Sequence, residues 1–302
     1  MNSIGNDLPP QHPLPRTAEG QTSAPPRRPG LILAFLCLAG FMTFLDVTIV
    51  NVALSTIERE LDISQPSLQY IVTTYGMLLG GCLLLTGRLA DAFGRRRMLQ
   101  TGLVLFALAS LGAGLGQSAV TLTVARGAQG LGAAFITTAA LSLLAAEFAE
   151  GAERNKALGA WGALSGIAAV AGVTLGGLLT DGPGWRWIFF VNVPIGLARA
   201  ALAPKVVAES RAAERGSSFD VAGAVTLTAG LVLLIFSLGQ TVSDTDVPAA
   251  RVYGGFALAA LLLTAFVLVE RRAEAPLIPL GVFSRKPLCA ANVVALLLLG
   301  TA

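Results

Sequence analysis

The chain has 302 residues, of which 54% are hydrophobic and 13% are charged, and its formal net charge is +3. Soluble domains carry about 25% charged residues, roughly twice this fraction. The composition therefore excludes a soluble enzyme, a disordered protein and a disulfide-stapled secreted domain, and it predicts an all-α integral membrane protein.

The first 30 residues are polar and rich in proline, which predicts a disordered tail before the first membrane span. A spanning helix needs about 20 apolar residues. Eight segments satisfy this requirement, and they lie at residues 31–54, 68–86, 98–116, 121–146, 157–180, 186–203, 221–241 and 252–269. A ninth apolar run begins near Pro287 and is incomplete at Ala302.

The charges between the spans predict the orientation of the chain. Sixteen of the 21 Lys and Arg residues lie in the tail and in the connections on its side, three lie in the opposite connections, and Arg126 and Arg199 lie within spans. Because cytoplasmic loops carry an excess of Lys and Arg, we predict that the N-terminus is cytoplasmic. The same distribution accounts for the positive net charge without a nucleic-acid partner.

The spans and loops divide the chain into predicted regions. These are a disordered cytoplasmic tail (1–30), a six-helix body (31–203), a cytoplasmic loop (204–219), two further transmembrane helices (220–270), and a cytoplasmic loop with an incomplete ninth helix (271–302). Within the spans we find no paired carboxylates, no histidine cluster and no arrangement of a nucleophile with a base. The sequence therefore predicts neither an enzyme nor a metal site.

Two ionisable residues stand out inside the spans, where a charge is costly and therefore rare. Asp46 lies eight residues before Leu54, at the end of span one, and Arg126 lies five residues after Thr121, at the start of span four. A rise of about 1.5 Å per residue places both about 8 to 12 Å below the same membrane face. If the fold brings these spans together, protonation of the carboxylate would loosen the pair, as a proton-coupled carrier requires. The alternative is a structural ion pair that locks two helices.

Small and polar residues accompany this pair. Gln129 and Thr137 share the helical face of Arg126, and Asn51 follows Asp46 in span one, which makes these three residues candidates for lining a cavity. Span five carries glycines at packing distances along the helix, namely Gly162, Gly166, Gly172, Gly176 and Gly177. Such glycines serve either close helix packing or gating.

The connection between spans two and three reads G-R-L-A-D-A-F-G-R-R-R (residues 87–97). It resembles the loop signature of the major facilitator superfamily, and the alternative is an ordinary cluster of positive charges at the inner face. The resemblance implies a gating loop formed by Gly87, Arg88, Asp91, Gly94, Arg95, Arg96 and Arg97. In it, a glycine permits tight helix packing, and Asp91 engages a helix end in the opposite half of the carrier and stabilises its outward-facing state.

Three further stretches agree with this resemblance in the expected order. L-D-V-T-I-V-N-V-A-L (45–54) and W-R-W-I-F-F-V-N-V-P-I-G (185–196) resemble motifs of the fourteen-helix drug:proton antiporter branch, and R-G-A-Q-G-L-G-A-A (126–134) resembles the fourth-helix motif of the superfamily. The implied fold is the N-terminal six-helix half, built from inverted three-helix repeats, with two linker helices and the start of a ninth helix. Spans one and four are then repeat mates beside the central cavity.

The chain departs from the family pattern at specific positions and in length. Ser55, Thr138 and Val173 occupy positions where the family usually has proline, a residue that bends transmembrane helices at hinges. The second six-helix half is missing, so we expect this sequence to be the N-terminal, C-terminally truncated part of a longer carrier, or to need a partner subunit.

The resemblance implies proton-coupled efflux of amphipathic small molecules, such as antibiotics, across the plasma membrane of a bacterium. Asp46 would bind the proton, Arg126 would couple its charge to the cavity, and Asp91 with Arg95–Arg97 would control the inner gate. The expected partners are the substrate, protons and the lipid bilayer, with the proton gradient in place of a cofactor. The alternatives are a metabolite symporter or uniporter of the same fold, and a half-carrier that does not transport.

Overall fold

The computed structural model of the protein describes residues 28–211, 221–243 and 248–272. In these ranges every regular element is a helix: α1 (Pro29–Leu61), α2 (Gln65–Phe93), α3 (Arg95–Gly114), α4 (Ala119–Glu147), α5 (Ala152–Asp181), α6 (Trp187–Phe190), α7 (Asn192–Val206), α8 (Val221–Ser243) and α9 (Ala249–Glu270). Within the described ranges, eight spans are long and apolar enough to cross a membrane, with α6 and α7 forming one of them, Trp187–Val206. The all-helical membrane fold is thus confirmed, whereas nearly all of the predicted tail and the ninth apolar run lie outside the described residues.

Several helices extend beyond the apolar segments that predicted them. The first ends at Leu61 instead of residue 54, and α2 continues to Phe93 instead of residue 86. Hydropathy marks only the part of a helix that crosses the hydrocarbon core, whereas a helix satisfies its own backbone hydrogen bonds beyond that core as well. The predicted gating loop is consequently helical, with Gly94 as the single residue between α2 and α3.

The packing of the six spans is consistent with two structural repeats of three helices each. Helix α1 packs on α5 and α2 packs on α4, two contacts that interchange when the first three spans are exchanged with the second three. Helix α3 packs between α4 and α7. The fourth span therefore lies in the middle of the bundle, where its polar residues can meet the other helices.

Small residues let α4 approach its neighbours closely. A Cβ atom added to Gly130 would lie 2.3 Å from the backbone oxygen of Tyr75 on α2, and one added to Gly102 of α3 would lie 2.8 Å from the backbone oxygen of Gly132. No larger residue fits at such separations. These approaches hold α2 and α3 against the part of α4 that carries Arg126 and Gln129.

At the end of the bundle opposite to the α2–α3 connection, an aromatic residue and an ion pair join α1 to the turn before α6. The buried indole of Trp185 donates a hydrogen bond from Nε1 to Oε2 of Glu60 on α1 (2.8 Å), and Arg186 Nη1 lies 3.3 Å from the same oxygen. The Arg186 guanidinium stacks 4.4 Å above the Trp185 ring. This contact fixes the turn before α6 to the end of α1.

The last two helices form a hairpin beside this body. Helix α9 packs on α8, and α8 packs on α2, where Tyr70 and Phe236 stack with their ring centroids 6.2 Å apart. A Cβ on Gly81 of α2 would lie 2.6 Å from Cγ2 of Val232, so the two helices meet at a small residue. The hairpin contacts the six-helix body mainly through α2.

Candidate functional site

The structure brings the two ionisable residues of spans one and four together. Arg126 Nη1 of α4 donates a hydrogen bond to Oδ2 of Asp46 on α1, within an ion pair. Both side chains are withdrawn from the surface, Asp46 being 0% and Arg126 1% exposed. A charge pair that is removed from water needs further hydrogen bonds to offset its desolvation, and the neighbouring helices supply them.

Two amides complete the shell of the carboxylate. Asp46 Oδ1 accepts hydrogen bonds from Nε2 of Gln129 (3.2 Å) and Nδ2 of Asn192 (3.0 Å). Gln129 also accepts from Arg126 Nη1 through Oε1 (3.1 Å) and donates from Nε2 to Oγ of Ser110 (2.8 Å). We call Asp46, Ser110, Arg126, Gln129 and Asn192 the polar cluster. All five residues are buried.

The second helix holds the guanidinium from another side. Arg126 Nε donates to the backbone oxygen of Ile71 (3.4 Å), and the guanidinium carbon lies 4.2 Å above the ring of Tyr75. The hydroxyl of Tyr75 in turn donates to the backbone oxygen of Thr43 on α1 (3.2 Å). The cation is thus surrounded by a carboxylate, two acceptor oxygens and an aromatic face.

The charge of the Asp46 carboxylate joins helices that are far apart in the chain. In the ionised state Asp46 accepts hydrogen bonds from Arg126, Gln129 and Asn192, and so joins α1 to α4 and α7. A proton on the carboxylate would remove its negative charge and so weaken its attraction for Arg126. The remaining contacts of the guanidinium are with Gln129 of α4 and with α2, so protonation would weaken the link to α1 and leave α2 and α4 joined.

Asp91 and Arg95 of the predicted gating loop lie in helices, on either side of the junction of α2 and α3. Asp91 Oδ1 lies 3.0 Å from Nη2 of Arg95, and Arg95 Nη1 donates to the backbone oxygen of Ser142 on α4 (3.4 Å). Gly94 has a φ of +112°, a conformation that other residues rarely adopt. Gly87 and Arg88 lie on the last two turns of α2.

Glu209, which the sequence does not single out, caps the start of α3. Its Oε1 accepts a hydrogen bond from the backbone N–H of Arg96 (3.0 Å), and its Oε2 lies 3.8 Å and 3.7 Å from Nε of Arg96 and Arg97. A carboxylate at this position accepts a hydrogen bond from an N–H group that has no partner within the helix, and it interacts favourably with the positive end of the helix dipole. The arginine cluster is therefore tied to the segment after α7.

The other predicted site residues are spread over different surroundings. In span five, Gly172 and Gly176 face α1, where an added Cβ would lie 2.6 Å and 3.0 Å from the Cβ atoms of Thr48 and Val52. The remaining three glycines have open space around them: Gly162, Gly166 and Gly177. Of the cavity candidates, Asn51 is exposed, Thr137 is half-buried, and Gln129 belongs to the polar cluster instead of an open cavity.

The three positions without the usual proline lie in continuous helices. Thr138 donates from Oγ1 to the backbone oxygen of Ala134 (2.8 Å) and lies 3.2 Å from Oγ1 of Thr86 on α2. It therefore links α4 and α2 by a side-chain hydrogen bond. Ser55 and Val173 are exposed on α1 and α5.

Sequence reasoning missed three residues around the pair: Asn192 and Tyr75 contact it directly, and Ser110 contacts Gln129. Asn192 lies within the quoted span-six motif, so that motif already contained a signal for it. Ser110 is a lone hydroxyl in an apolar part of α3, and Tyr75 is an aromatic residue in span two. Such residues are common in spans, and only their proximity to Arg126 and Gln129 distinguishes them.

Comparison with known families and structures gives a consistent result. The sequence profile of the Major Facilitator Superfamily matches residues 36–301. One bacterial homologue of the human lysosomal transporter Spinster, solved in an inward-facing and unoccupied conformation, superimposes with a TM-score of 0.55 at 16% identity. That alignment covers 78% of this chain and 60% of the solved one, and at this identity it shows the fold alone.

Several curated relatives are named as resistance or export proteins. The puromycin resistance protein pur8 of Streptomyces alboniger is 40% identical over 254 residues, which cover 84% of this chain and 50% of the relative. The cephamycin export protein CmcT of Amycolatopsis lactamdurans is 40% identical over 253 residues, and the alignment covers 83% of this chain and 52% of CmcT. The lincomycin resistance protein of Streptomyces lincolnensis is 35% identical over 289 residues, 94% of this chain and 58% of the relative. This chain thus spans about half the length of the relatives it matches.

Proposed function

The chain belongs to the Major Facilitator Superfamily, and we propose that it forms part of a carrier that exports amphipathic small molecules in exchange for protons. The names of the relatives support the direction and the substrate class, because they include export or resistance proteins for puromycin, cephamycin and tetracenomycin C. Pockets for small molecules are lined mainly by apolar and aromatic side chains, so we expect a substrate surface that is largely apolar, with few specific polar contacts.

The buried Asp46–Arg126 pair is the observation that carries this proposal. A charge pair inside a membrane bundle is costly, and such residues typically mark ion or proton pathways. We propose that Asp46 binds the transported proton and that Arg126 keeps its charge throughout. Loss of the ion pair would weaken the link between α1 and α4, while the contacts of Arg126 with Ile71 and Tyr75 keep α4 on α2. The proton would in this way bias the relative positions of helices beside the cavity.

The junction of α2 and α3 provides the proposed gate. Asp91 has a side chain that is 38% exposed although it pairs with Arg95, so it remains accessible to a further partner. We propose that this partner is a helix end in a second six-helix half, with Arg95, Arg96 and Arg97 holding the junction in place. Carriers of this type rock two halves around a central site, so transport would require that second half, either in the same polypeptide or in a partner subunit.

The decisive variant is Asp46→Asn, made in the complete carrier, including its second half, and expressed in a bacterial host. We expect it to abolish export of a fluorescent dye substrate, because the amide cannot bind and release a proton. The matched control is Asp181→Asn, which neutralises an exposed carboxylate at the end of α5 and should leave export unchanged. Full export by Asp46→Asn at wild-type expression would refute the role of Asp46.

A protonophore separates the proposed exporter from the other transport modes. An exporter driven by the proton gradient keeps dye out of the cell only while the gradient persists, so collapse of the gradient should raise dye accumulation to the level of cells without the protein. A uniporter would equilibrate the dye regardless of the gradient, and a symporter would accumulate it. Absence of any effect of the expressed protein on the dye would favour a half-carrier that does not transport.

A further inference from the structure

An open groove of about 780 Å³ runs along the surface between α3 and α7, away from the polar cluster. Its walls are mostly apolar and include Val104, Leu108 and Leu197, residues that are 36%, 54% and 40% exposed. One end of the groove is polar, because Arg97 and Gln100 line it. The groove thus combines an apolar trough with a cationic end.

A second cation extends the charged end of the groove. Helix α3 begins and α7 ends on the same side of the bundle, and both packed helices line the groove. Lys205 follows Ala201, a groove residue, by one helical turn on α7, which places it on the same helical face towards that side. Lys205 is exposed and lies one helical turn beyond the groove lining, on the side of the bundle where Arg97 lies.

The neighbouring carboxylate does not cancel these charges. Glu209 Oε2 lies 3.7 Å from Nε of Arg97, but this carboxylate also pairs with Arg96 and caps the backbone of α3. The side chain of Arg97 remains 62% exposed. One carboxylate shared by two arginines leaves the charged end positive, with exposed donors available to an anion.

The length of the groove matches one leaflet of a bilayer. Arg97 and Leu108 are eleven residues apart on α3, which corresponds to about 16 Å at the helical rise. The hydrocarbon core of a bilayer is about 30 Å thick, so half of it is about 15 Å. An acyl chain in the trough would therefore end near the bilayer centre when its headgroup lies at Arg97.

We propose that this groove binds an anionic phospholipid, with one acyl chain along Val104, Leu108 and Leu197 and the phosphate at Arg97 and Lys205. Basic pockets between helices at the membrane surface are suited to anionic headgroups. A protein helix is the poorer occupant, since the trough ends in exposed positive charge, which an anionic headgroup neutralises and an apolar helix surface does not.

Measurement of lipid binding to the complete chain tests whether the charged end of the groove binds an anionic headgroup. The purified, delipidated chain is titrated with phosphatidylglycerol or phosphatidylcholine in detergent, and bound lipid is counted by native mass spectrometry. We expect preferential retention of phosphatidylglycerol and a loss of about tenfold in its affinity in the double variant Arg97→Gln/Lys205→Gln. The control, Arg271→Gln/Arg272→Gln, removes two exposed charges on the same side of the bundle at the end of α9 and should retain the preference. Equal binding of both lipids, or an equal loss in the control, would overturn the proposal.

A second measurement locates the acyl chain and does not depend on the charged residues. Leu108→Trp places a fluorophore in the groove, and Leu111→Trp places one on the same helix at a residue that does not line it and is 37% exposed. The bilayers contain a small fraction of phosphatidylglycerol that is brominated on its acyl chains. After subtraction of the fluorescence of the protein without the added tryptophan, we expect stronger quenching of the tryptophan at residue 108 than of the one at residue 111. Equal quenching at the two residues would contradict the proposal. Weaker quenching at residue 108, as expected if another protein segment covers it, would contradict it as well.

Discussion

At the residue scale, Gln129 is the side chain that holds the polar cluster together. Its amide contacts the carboxylate of Asp46, the guanidinium of Arg126 and the hydroxyl of Ser110 at the same time. It is fully buried, so water cannot replace these contacts. Removal of one member of such a network leaves the others with unsatisfied polar groups, which costs more than the lost hydrogen bonds themselves.

We predict that Gln129→Met lowers the free energy of unfolding by about 1 to 3 kcal/mol, since methionine has a similar volume but offers no amide. The change is measured as thermal unfolding of the purified protein in detergent. Thr137→Val is the control, because Thr137 lies two turns further along α4 and is half-buried. An equal effect of the two substitutions would show that the cluster contributes no particular stability.

At the element scale, α5 has two faces of different character. Gly172 and Gly176 lie against Thr48, Ile49 and Val52 of α1, whereas Gly177 lies next to open space. The spacing of these glycines left close packing and gating as alternatives. The geometry supports packing for Gly172 and Gly176, since both allow the backbones of α1 and α5 to approach each other.

We predict that Gly172→Ala lowers the unfolding temperature by roughly 2 to 8 °C, because its new methyl group would lie 2.6 Å from Cβ of Thr48 and force the two helices apart. Gly177→Ala on the same helix should be neutral or slightly stabilising, since alanine is the better helix former and has free space there. The measurement is again thermal unfolding in detergent. The packing interpretation fails if both variants unfold at the wild-type temperature.

At the scale of the whole molecule, the described chain consists of a six-span body and the α8–α9 hairpin. The body is interlocked, because α4 contacts α1, α2, α3 and α5, and the polar cluster draws residues from α1, α3, α4 and α7. The hairpin packs on α2 through α8. This difference implies that the hairpin can loosen without disruption of the body.

We predict that Gly81→Leu increases hydrogen–deuterium exchange in residues 221–270 and leaves exchange in residues 29–206 unchanged. A Cβ at this position would lie 2.6 Å from Val232, so a larger side chain pushes α8 away from α2. Gly76→Leu is the control on the same helix, because an added Cβ at Gly76 contacts nothing within 4 Å. Uniform exchange changes across both regions would show that body and hairpin open together.

Much of this organisation follows from the sequence. Runs of about 20 apolar residues predict the eight spans, because a helix that crosses lipid must carry an apolar surface along its length. The depths of Asp46 and Arg126 below one membrane face made their pairing a reasonable hypothesis, and the structure places them in contact. The helix ends were less predictable: the junction at residues 87–97 has the charges of a loop but is helical on both sides of Gly94.

The sequence by itself determined the all-helical membrane class, the number of complete spans and the two charges that must be compensated within them. All of these follow from local composition and the one-dimensional spacing of residues along a helix. Only the tertiary structure decided that Ser110 and Asn192 complete the polar cluster, that Glu209 caps α3, and that α3 and α7 enclose a groove. Those contacts join residues far apart in the chain, and their geometry depends on which helix faces meet, a property that no single segment encodes.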